Sequence, residues 1–380
     1  MIYLDNSATT KPYPEALETF NIVSNQFFAN PSSIHGLGGL SEEMLKRSRT
    51  QAAELLGVKP SEITFTSGGT EGNNLAIKGV ALSYSQRGKH IITTEIEHAA
   101  TYNAFKQLEN AGFEVTYLPV NHKGRVNLED LKKACRKDTI LISIIHVNNE
   151  VGTVQPLQEI GEWLKEQRAT LFHVDHVQGI GKVPLNLKEY GIDLCTISGH
   201  KFHGPKGTGL LFVRGGVSLS PLFSGGSQEL NRRAGTENLP GIAAMVKALR
   251  INLETSKRHL DDLKCLKNKM IRSFETNDDL IIHTPAEFSA PHIINVTIKG
   301  IKAEVLVHAL EEDDIYVSTK SACSSREGGA SRVLLAMGIP EDEAAHAIRI
   351  SLSLENTSDE IDRFLDIFNK KINELKSVMG

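Results

Sequence analysis

Between about residue 60 and residue 215, short apolar runs alternate with stretches whose apolar positions recur at helical spacing. The runs at 62–66, 90–94, 113–118, 140–145, 171–175, 192–197 and 209–213 are apolar almost throughout, which predicts seven strands buried on both faces. Helices are expected where Leu75, Ile77 and Val80 carry the period, over 102–108, and over 158–167. Strand and helix in alternation predict a mostly parallel sheet covered on both sides. A long, charge-rich helical stretch without proline follows at 242–274, and beyond it the rhythm changes. A strand at 292–298, a helix at 303–310, a strand at 315–317 and a closing helix at 358–379 predict a smaller α+β unit. The expected fold is α/β, with a large domain over 15–255 and a small domain assembled from 1–14 and 256–380.

Composition narrows the function classes. Hydrophobic residues make up 40% and charged residues 23%, as in an ordinary globular enzyme, and the net charge of −4 carries no signature of nucleic-acid binding. Cys135, Cys195, Cys265 and Cys323 are widely and irregularly spaced, which fits neither a disulfide framework nor a zinc site and points to a reducing, cytoplasmic setting. The first residues lack a basic region followed by an apolar stretch, so no signal peptide is expected. The longest apolar run, around 139–147, is too short to span a bilayer.

Candidate chemistry collects just beyond the strands, where open parallel sheets bind ligands. After the strand at 192–197 comes Ser198-Gly199-His200-Lys201-Phe202-His203-Gly204-Pro205-Lys206-Gly207. A lysine at a strand end, among a hydroxyl, imidazoles and glycines, suits an aldehyde cofactor held as a Schiff base; a solvated loop charge is the plain alternative. Ser67-Gly68-Gly69-Thr70-Glu71-Gly72-Asn73-Asn74 is a glycine turn into a helix, either a phosphate cradle or a capped turn. Asp175, ending its strand, suits a pyridine nitrogen, and its alternative is a cap or surface acid. His173-Val174-Asp175-His176 also contains metal-ligand types, but strand alternation turns His173 and Asp175 away from His176. His98 is a candidate acid/base or ring-stacking residue, and Asn149 a strand-end amide able to bond an oxygen. Arg349, inside an apolar stretch, wants a carboxylate, from a substrate or from the protein itself. Cys323, in Ser321-Ala322-Cys323-Ser324-Ser325-Arg326-Glu327-Gly328-Gly329-Ala330, has no apolar face to bury it and reads as a solvent-reachable thiol.

Taken together, these segments resemble the NifS/IscS-like cysteine desulfurases, pyridoxal-phosphate enzymes of the class V aminotransferase family. The likeness covers nearly the whole chain. It runs through Tyr3-Leu4-Asp5-Asn6-Ser7-Ala8-Thr9-Thr10, Asn30-Pro31-Ser32-Ser33, Thr66-Ser67-Gly68-Gly69-Thr70-Glu71, Glu97-His98, His146-Val147-Asn148-Asn149-Glu150 and His173-Val174-Asp175. It is strongest at Ser198-Gly199-His200-Lys201, Gly204-Pro205-Lys206-Gly207 and Ser321-Ala322-Cys323. Three departures stand out: Gly225-Gly226-Ser227-Gln228-Glu229-Leu230-Asn231-Arg232-Arg233 lacks the family's usual third glycine and basic residue, His176 replaces a small residue, and the loop after Cys323 is unusually polar.

The resemblance implies fold type I of the pyridoxal-phosphate-dependent transferases, with a mostly parallel seven-stranded sheet in the large domain and an α+β small domain. It implies that Lys201 carries the cofactor, that Gly69, Thr70, Ser198 and His200 bind its phosphate with Thr236 from the partner subunit of a homodimer, and that Asp175 pairs with the pyridine nitrogen. Gln178 would meet the ring hydroxyl, His98 would stack on the ring and is a candidate base, and Asn149 and Arg349 would hold the substrate carboxylate. Cys323 is the implied sulfur acceptor from L-cysteine, passing a persulfide to an acceptor protein for iron–sulfur cluster assembly or tRNA thiolation. The alternatives are a selenocysteine lyase or cysteine-sulfinate desulfinase, a metal-dependent hydrolase built on the histidines, and a sulfur carrier without enzymatic activity.

Overall fold

The computed structural model describes residues 1–167, 170–319 and 329–379. The chain opens with β1 (Ile2–Tyr3), α1 (Pro14–Gln26) and α2 (Gly36–Leu56). The alternating region follows: β2 (Ile63–Thr66), α3 (Gly69–Tyr84), β3 (His90–Thr94), α4 (Ala99–Asn110), β4 (Glu114–Leu118), α5 (Leu128–Ala134), β5 (Thr139–Ile145), α6 (Leu157–Leu164), β6 (Leu171–Asp175), β7 (Leu194–Ser198) and β8 (Gly209–Val213). The long helix α7 (Leu239–Glu275) leads to β9 (Leu280–Ile282), β10 (Ile293–Ile298), α8 (Ala303–Glu311), β11 (Ile315–Tyr316), α9 (Arg332–Ala336), α10 (Glu341–Ala345), β12 (Ala347–Ser351) and α11 (Ser358–Met379).

Seven strands form one sheet in the order β2-β8-β7-β6-β5-β3-β4, as the apolar runs predict. Alternate residues serve opposite faces. Phe172 and Val174 join the cluster that includes Leu45, Ile160 and Met245, while Leu171 joins Leu75, Ile77 and Phe105 on the other side. The sheet is parallel except at β8, which runs antiparallel to both β7 and β2. The reason is the short link at 199–208, which holds only a 3₁₀ turn and cannot make the crossover a parallel neighbour requires. Two reversals restore the direction, so β2 points the same way as β7. The glycine turn after β2 and the lysine turn after β7 therefore emerge at one edge.

The end of the chain packs a second core. β10 lies between β12 and β9, antiparallel to each, and β1 pairs in parallel with β11. Ile2 and Leu4, from the first residues, join Leu263, Met270, Phe274, Ile348 and Phe368 in one cluster. Helix α7 serves both cores, because residues 239–249 bury against the large sheet and Leu263, Met270 and Phe274 against the second. Sequence pattern alone misses β9, whose three residues are all only half-buried.

Phe368 is fully buried, with ring centroids 5.2 Å from both Phe274 and Phe364. Phe368→Ala leaves a cavity that this aromatic cluster cannot close, and is expected to destabilise the protein by about 3–5 kcal/mol. A urea melt reads this as a lower midpoint; an unchanged midpoint contradicts the assignment of Phe368 to the second core.

Candidate active site

The turns that leave the shared sheet edge converge on a cavity of about 150 Å³. Its walls include Lys201, Asp175, His98, Asn149, Gln178 and Arg349, together with Gly69, Thr70, Ser198 and His200. Of the sequence-predicted site residues, only Thr236 and Cys323 are not in this wall. Thr236 is exposed on the loop before α7, and Cys323 lies outside the described residues.

Lys201 ends a short 3₁₀ turn, Gly199–Lys201, entered directly from β7. The turn is closed by hydrogen bonds from Gly199 N–H to Thr208 O (2.9 Å) and from Gly204 N–H to Gly199 O (2.9 Å). Lys201 Nζ donates to the carbonyls of Ser7 (2.6 Å) and Ala8 (2.7 Å). Those residues come from the N-terminal segment, which is fastened to the same turn by Thr10 N–H to His200 O (2.9 Å) and His203 N–H to Thr10 Oγ1 (2.7 Å). Ser7 and Ala8 were not singled out from the sequence as contacts of Lys201. Carbonyl contacts leave no mark on residue type, and only the resemblance at 3–10 pointed there.

Asp175 ends β6 and is 2% exposed. Its Oδ2 accepts from Asn73 Nδ2 (2.6 Å) and its Oδ1 from Val177 N–H (3.0 Å). Asn73, one turn into α3, is a second residue that sequence reasoning left without a role. Each carboxylate oxygen retains an unused lone pair, and among the described residues no lysine or arginine lies within ion-pair distance. Such a buried carboxylate has capacity for one more donor, preferably cationic.

The neighbouring α3 begins at Gly69, its N–H groups open toward the cavity. Gly68 has φ +149°, a backbone that favours glycine, and Gly72 is needed because a Cβ there would meet Thr196 Cγ2 at 2.6 Å. An adjoining cleft of about 390 Å³ continues past Gly68, Gly69, Thr70, Ser198 and His200 to Lys206. A helix N-terminus with hydroxyls and a lysine is chemistry for a phosphate group. Burial pulls the His200 imidazole down to about 4, so it faces this cleft as a neutral ring.

His98 caps α4, its Nδ1 accepting from Ala100 N–H (3.1 Å), so the neutral ring carries its proton on Nε2. Burial holds its pKa below the usual histidine value against the pull of Asp175. The turn bearing Asn149 is shaped by Asn148, whose Oδ1 accepts from Glu150 and Val151 N–H (2.9 and 3.0 Å) while its Nδ2 donates to Ile96 O (2.9 Å). Arg349, only 1% exposed, finds its carboxylate within the protein: Nη2 donates to Asp5 Oδ1 at 2.9 Å, and Nη1 to Asn149 O at 2.9 Å. Its Nε, itself buried, has no partner among the described residues.

The histidines do not gather round a metal. His173 Nδ1 pairs with Ser143 Oγ (2.7 Å) and Nε2 with Thr196 Oγ1 (3.0 Å), while His176 Nδ1 pairs with His146 Nδ1 (2.7 Å). Burial pulls His146 and His173 down to about 3, so both are neutral. Among the described residues no three His, Cys, Asp or Glu side chains are grouped to hold a metal ion, and no helix is long and apolar enough to cross a membrane.

The two ends of the segment that contains Cys323 are pinned at the cavity. Ser318 exchanges main-chain hydrogen bonds with Arg349 (3.1 and 2.6 Å). Beyond the segment, Ser331 Oγ donates to Glu150 Oε2 (2.5 Å), next to Asn149. Arg332 donates to the carbonyls of Glu95 and Glu97, beside His98, and stacks over the Tyr102 ring at 4.0 Å.

A mostly parallel sheet with a lysine turn, a strand-end aspartate and a glycine-led helix at one edge defines an α/β enzyme with its site beyond the strand ends. The chain belongs to the aminotransferase class-V family, whose model matches residues 2–364. It is 48% identical to a NifS/IcsS protein homolog of Lactobacillus delbrueckii subsp. bulgaricus over 99% of this chain and 100% of the relative. It is 43% identical to cysteine desulfurase IscS of Dictyoglomus turgidum, over 99% of this chain and 96% of the relative. Its fold superposes on a solved NifS-like protein with a TM-score of 0.92, at 40% identity and 99% coverage of both chains. It also superposes on SspA in complex with cysteine with a TM-score of 0.81, at 34% identity over 94% of this chain and 100% of that one.

Glu97 gives the site region a pH signature. Its Oε1 accepts from Thr94 Oγ1 (2.8 Å) and Ile145 N–H (2.9 Å), its Oε2 has no partner among the described residues, and burial raises its pKa from 4.5 to about 8. The native state therefore keeps a proton that the unfolded chain gives up above 4.5. The stability this contributes is complete below 4.5 and lost as pH rises through about 8. Glu97→Gln keeps the acceptor and cannot ionise, so its melting temperature should fall less than the native protein's across that window. Parallel melting curves for the two proteins would contradict a protonated Glu97.

Proposed function

We propose that this chain is a cysteine desulfurase that works with pyridoxal 5'-phosphate, releasing L-alanine from L-cysteine and retaining the sulfur as a persulfide on Cys323. The observation that carries the reading is the meeting of Lys201 and Asp175 across one cavity with the N-terminus of α3. Relatives named cysteine desulfurase IscS at 43% and 44% identity support the same chemistry.

The residues present fit the cofactor. Lys201 would hold it through the ε-amine, Asp175 would face its ring nitrogen, Gln178 its ring hydroxyl, and His98 its ring face. Gly69, Thr70, Ser198 and His200 would surround the phosphate, with Thr236 from the partner subunit. When bound, pyridoxal phosphate supplies an electron sink for the bonds made and broken at the substrate's Cα and Cβ. Gln178 Nε2 donates to Ser7 O at 2.9 Å, which orients its amide within the cavity wall. Asp175, with no lysine or arginine at ion-pair distance among the described residues, would favour a protonated donor opposite it.

Lys201 carries the proton away from the substrate Cα, and Arg349 and Asn149 hold the α-carboxylate. For Arg349 this means sharing: Asp5 takes one Nη2 hydrogen and Asn149 O one Nη1 hydrogen, and the second hydrogen on each of these nitrogens is left to a substrate. Cys323 attacks the substrate sulfur as a thiolate. The new S–S bond forms as the Cβ–S bond breaks, the persulfide stays on the protein, and the three-carbon fragment takes up a proton and leaves as alanine. His98 stands on the cavity wall with its proton on Nε2 and its Nδ1 lone pair taken by Ala100 N–H, so it can take the thiol proton only once that cap bond is released.

The rest of the reading concerns setting and partners. The large domain, 15–255, carries the cofactor, and 1–14 with 256–380 forms the small domain that carries Cys323; the separate cores sharing α7 support that division. A second copy of the chain completes the site, and Phe28, Ile34, Leu37 and Leu40 are exposed large apolar side chains available to it. The persulfide passes to an acceptor protein serving iron–sulfur cluster assembly or tRNA thiolation, in the cytoplasm. Free Cys135, Cys195 and Cys265 fit that reducing compartment.

Borohydride treatment of the protein loaded with pyridoxal phosphate should fix the cofactor to Lys201, read by peptide mass, and Lys201→Ala should abolish the attachment. A fixed cofactor on another lysine contradicts the assignment. Cys323→Ser should keep the cofactor's absorbance and lose transfer of labelled sulfur from cysteine by at least about a hundredfold. Full transfer by that variant would falsify the nucleophile.

A further inference from the structure

Lys182 is absent from the wall of the site cavity, yet it is bonded to the residue at its centre. It sits on the turn after β6, is 6% exposed, and donates from Nζ to the main-chain carbonyl of Lys201 at 3.1 Å. Among the described residues it makes no ion pair. Burial pulls it down to about 8, so near neutrality it remains largely an ammonium. An uncompensated buried cation weakens a fold, and an apolar side chain of the same length would suit that place better for stability alone. Its presence calls for a reason besides packing.

The same turn reaches Lys201 at two points. At one end Gln178 donates to the Ser7 carbonyl, which also accepts Lys201 Nζ at 2.6 Å. At the other end Lys182 holds the Lys201 carbonyl. The separation between the two is fixed by the turn itself, in which Lys182 and Val183 N–H both bond Gly179 O (2.9 and 2.8 Å) and Ile180 N–H bonds His176 O (3.2 Å). Close contact with α7 fixes its place: a Cβ on Gly181 would lie 1.9 Å from Asn252 Oδ1.

We propose that Lys182 is a positioning residue for Lys201, fixing the main-chain origin of that side chain so that its amine sweeps only the arc between the N-terminal carbonyls and the reacting centre. The inference rests on Lys201 being the cofactor-bearing lysine. Displacement of a reacting group by about 1 Å costs on the order of a hundredfold in rate, so a single hydrogen bond to its backbone is enough to matter.

Behind Lys182 lies a second cavity of about 310 Å³, walled mainly by apolar side chains such as Leu187, Ile197 and Leu253. It gives the test its form, because a small alkylammonium ion can enter where the lysine has been shortened. Lys182→Ala should lower kcat by about tenfold to a hundredfold, leave KM for cysteine within about twofold, and release pyridoxal phosphate faster than the native protein when no substrate is present. Ethylammonium should restore both properties of Lys182→Ala saturably, with no effect on Lys182→Met, whose side chain occupies the space. Lys182→Arg, which keeps the donor and charge, should retain more activity than Lys182→Met. A Lys182→Met protein with native kcat and native cofactor release would overturn the inference. So would equal loss in Lys182→Arg and Lys182→Met with no recovery of Lys182→Ala by ethylammonium. Borohydride fixation on the native protein separates the two readings: a cofactor that is not on Lys201 fails the assignment of the site, whereas a cofactor on Lys201 with an indifferent Lys182→Met fails the positioning role alone.

Discussion

One carbonyl oxygen, that of Ser7, ties the site to both cores. It accepts from Lys201 Nζ on one side and Gln178 Nε2 on the other. The segment that carries it enters from the second core, where Leu4 is buried and Ser351 N–H bonds Leu4 O at 2.6 Å. A few residues later the same segment is bonded to His200 and His203 on the lysine turn. The N-terminus thus acts as a strap across the two packed units. Arg349 reinforces it from the second core by holding Asp5 and Asn149 O at once. Any relative movement of the two cores would have to stretch these bonds, so the strap sets the distance between Lys201 and Arg349.

Around that strap, burial governs protonation. His146, His173 and His200 are kept neutral by desolvation, and Glu97 is kept protonated by it. Asp175 is held differently, accepting hydrogen bonds from Asn73 and Val177 with no lysine or arginine at ion-pair distance among the described residues. Neutral neighbours matter here because charge concentrated on a few groups is felt more strongly in a medium of low dielectric. The His146–His176 pair illustrates how completely the histidines are used up. One Nδ1 must donate and the other accept, which leaves neither atom to a metal, and Gly179 is confined because a Cβ there would lie 2.5 Å from His176 Nδ1.

What the sequence disclosed, and what it hid, follow from the range of the forces involved. The seven strands were legible because each is a local apolar run, and α11 was legible to the residue because its ends are marked by period and polarity. Lys201, Asp175 and Thr70 were legible as strand-end polar groups, a position that parallel sheets reserve for ligands. The reversed β8 was less so, since direction depends on which strands meet and not on the residues within one of them. Partners of the site were hidden for the same reason. Asn73 and Lys182 are ordinary polar residues until the fold sets them beside Asp175 and the Lys201 carbonyl. Arg349 shows the intermediate case: its need for a carboxylate was readable, but the identity of Asp5 as that carboxylate required β12 to be laid beside the first strand segment.

The order of the strands brings the flanks of a distant segment to the cavity that Lys201 lines. The sheet turns back on itself between β3 and β5, so the turns bearing His98 and Asn149 open on either side of one gap. Arg332 bonds the chain to the His98 side of that gap, and Ser331 bonds it to Glu150 on the Asn149 side. Ser318, at the other end of the same segment, is bonded to Arg349. The two anchorages of the segment stand beside the groups that would hold the substrate carboxylate.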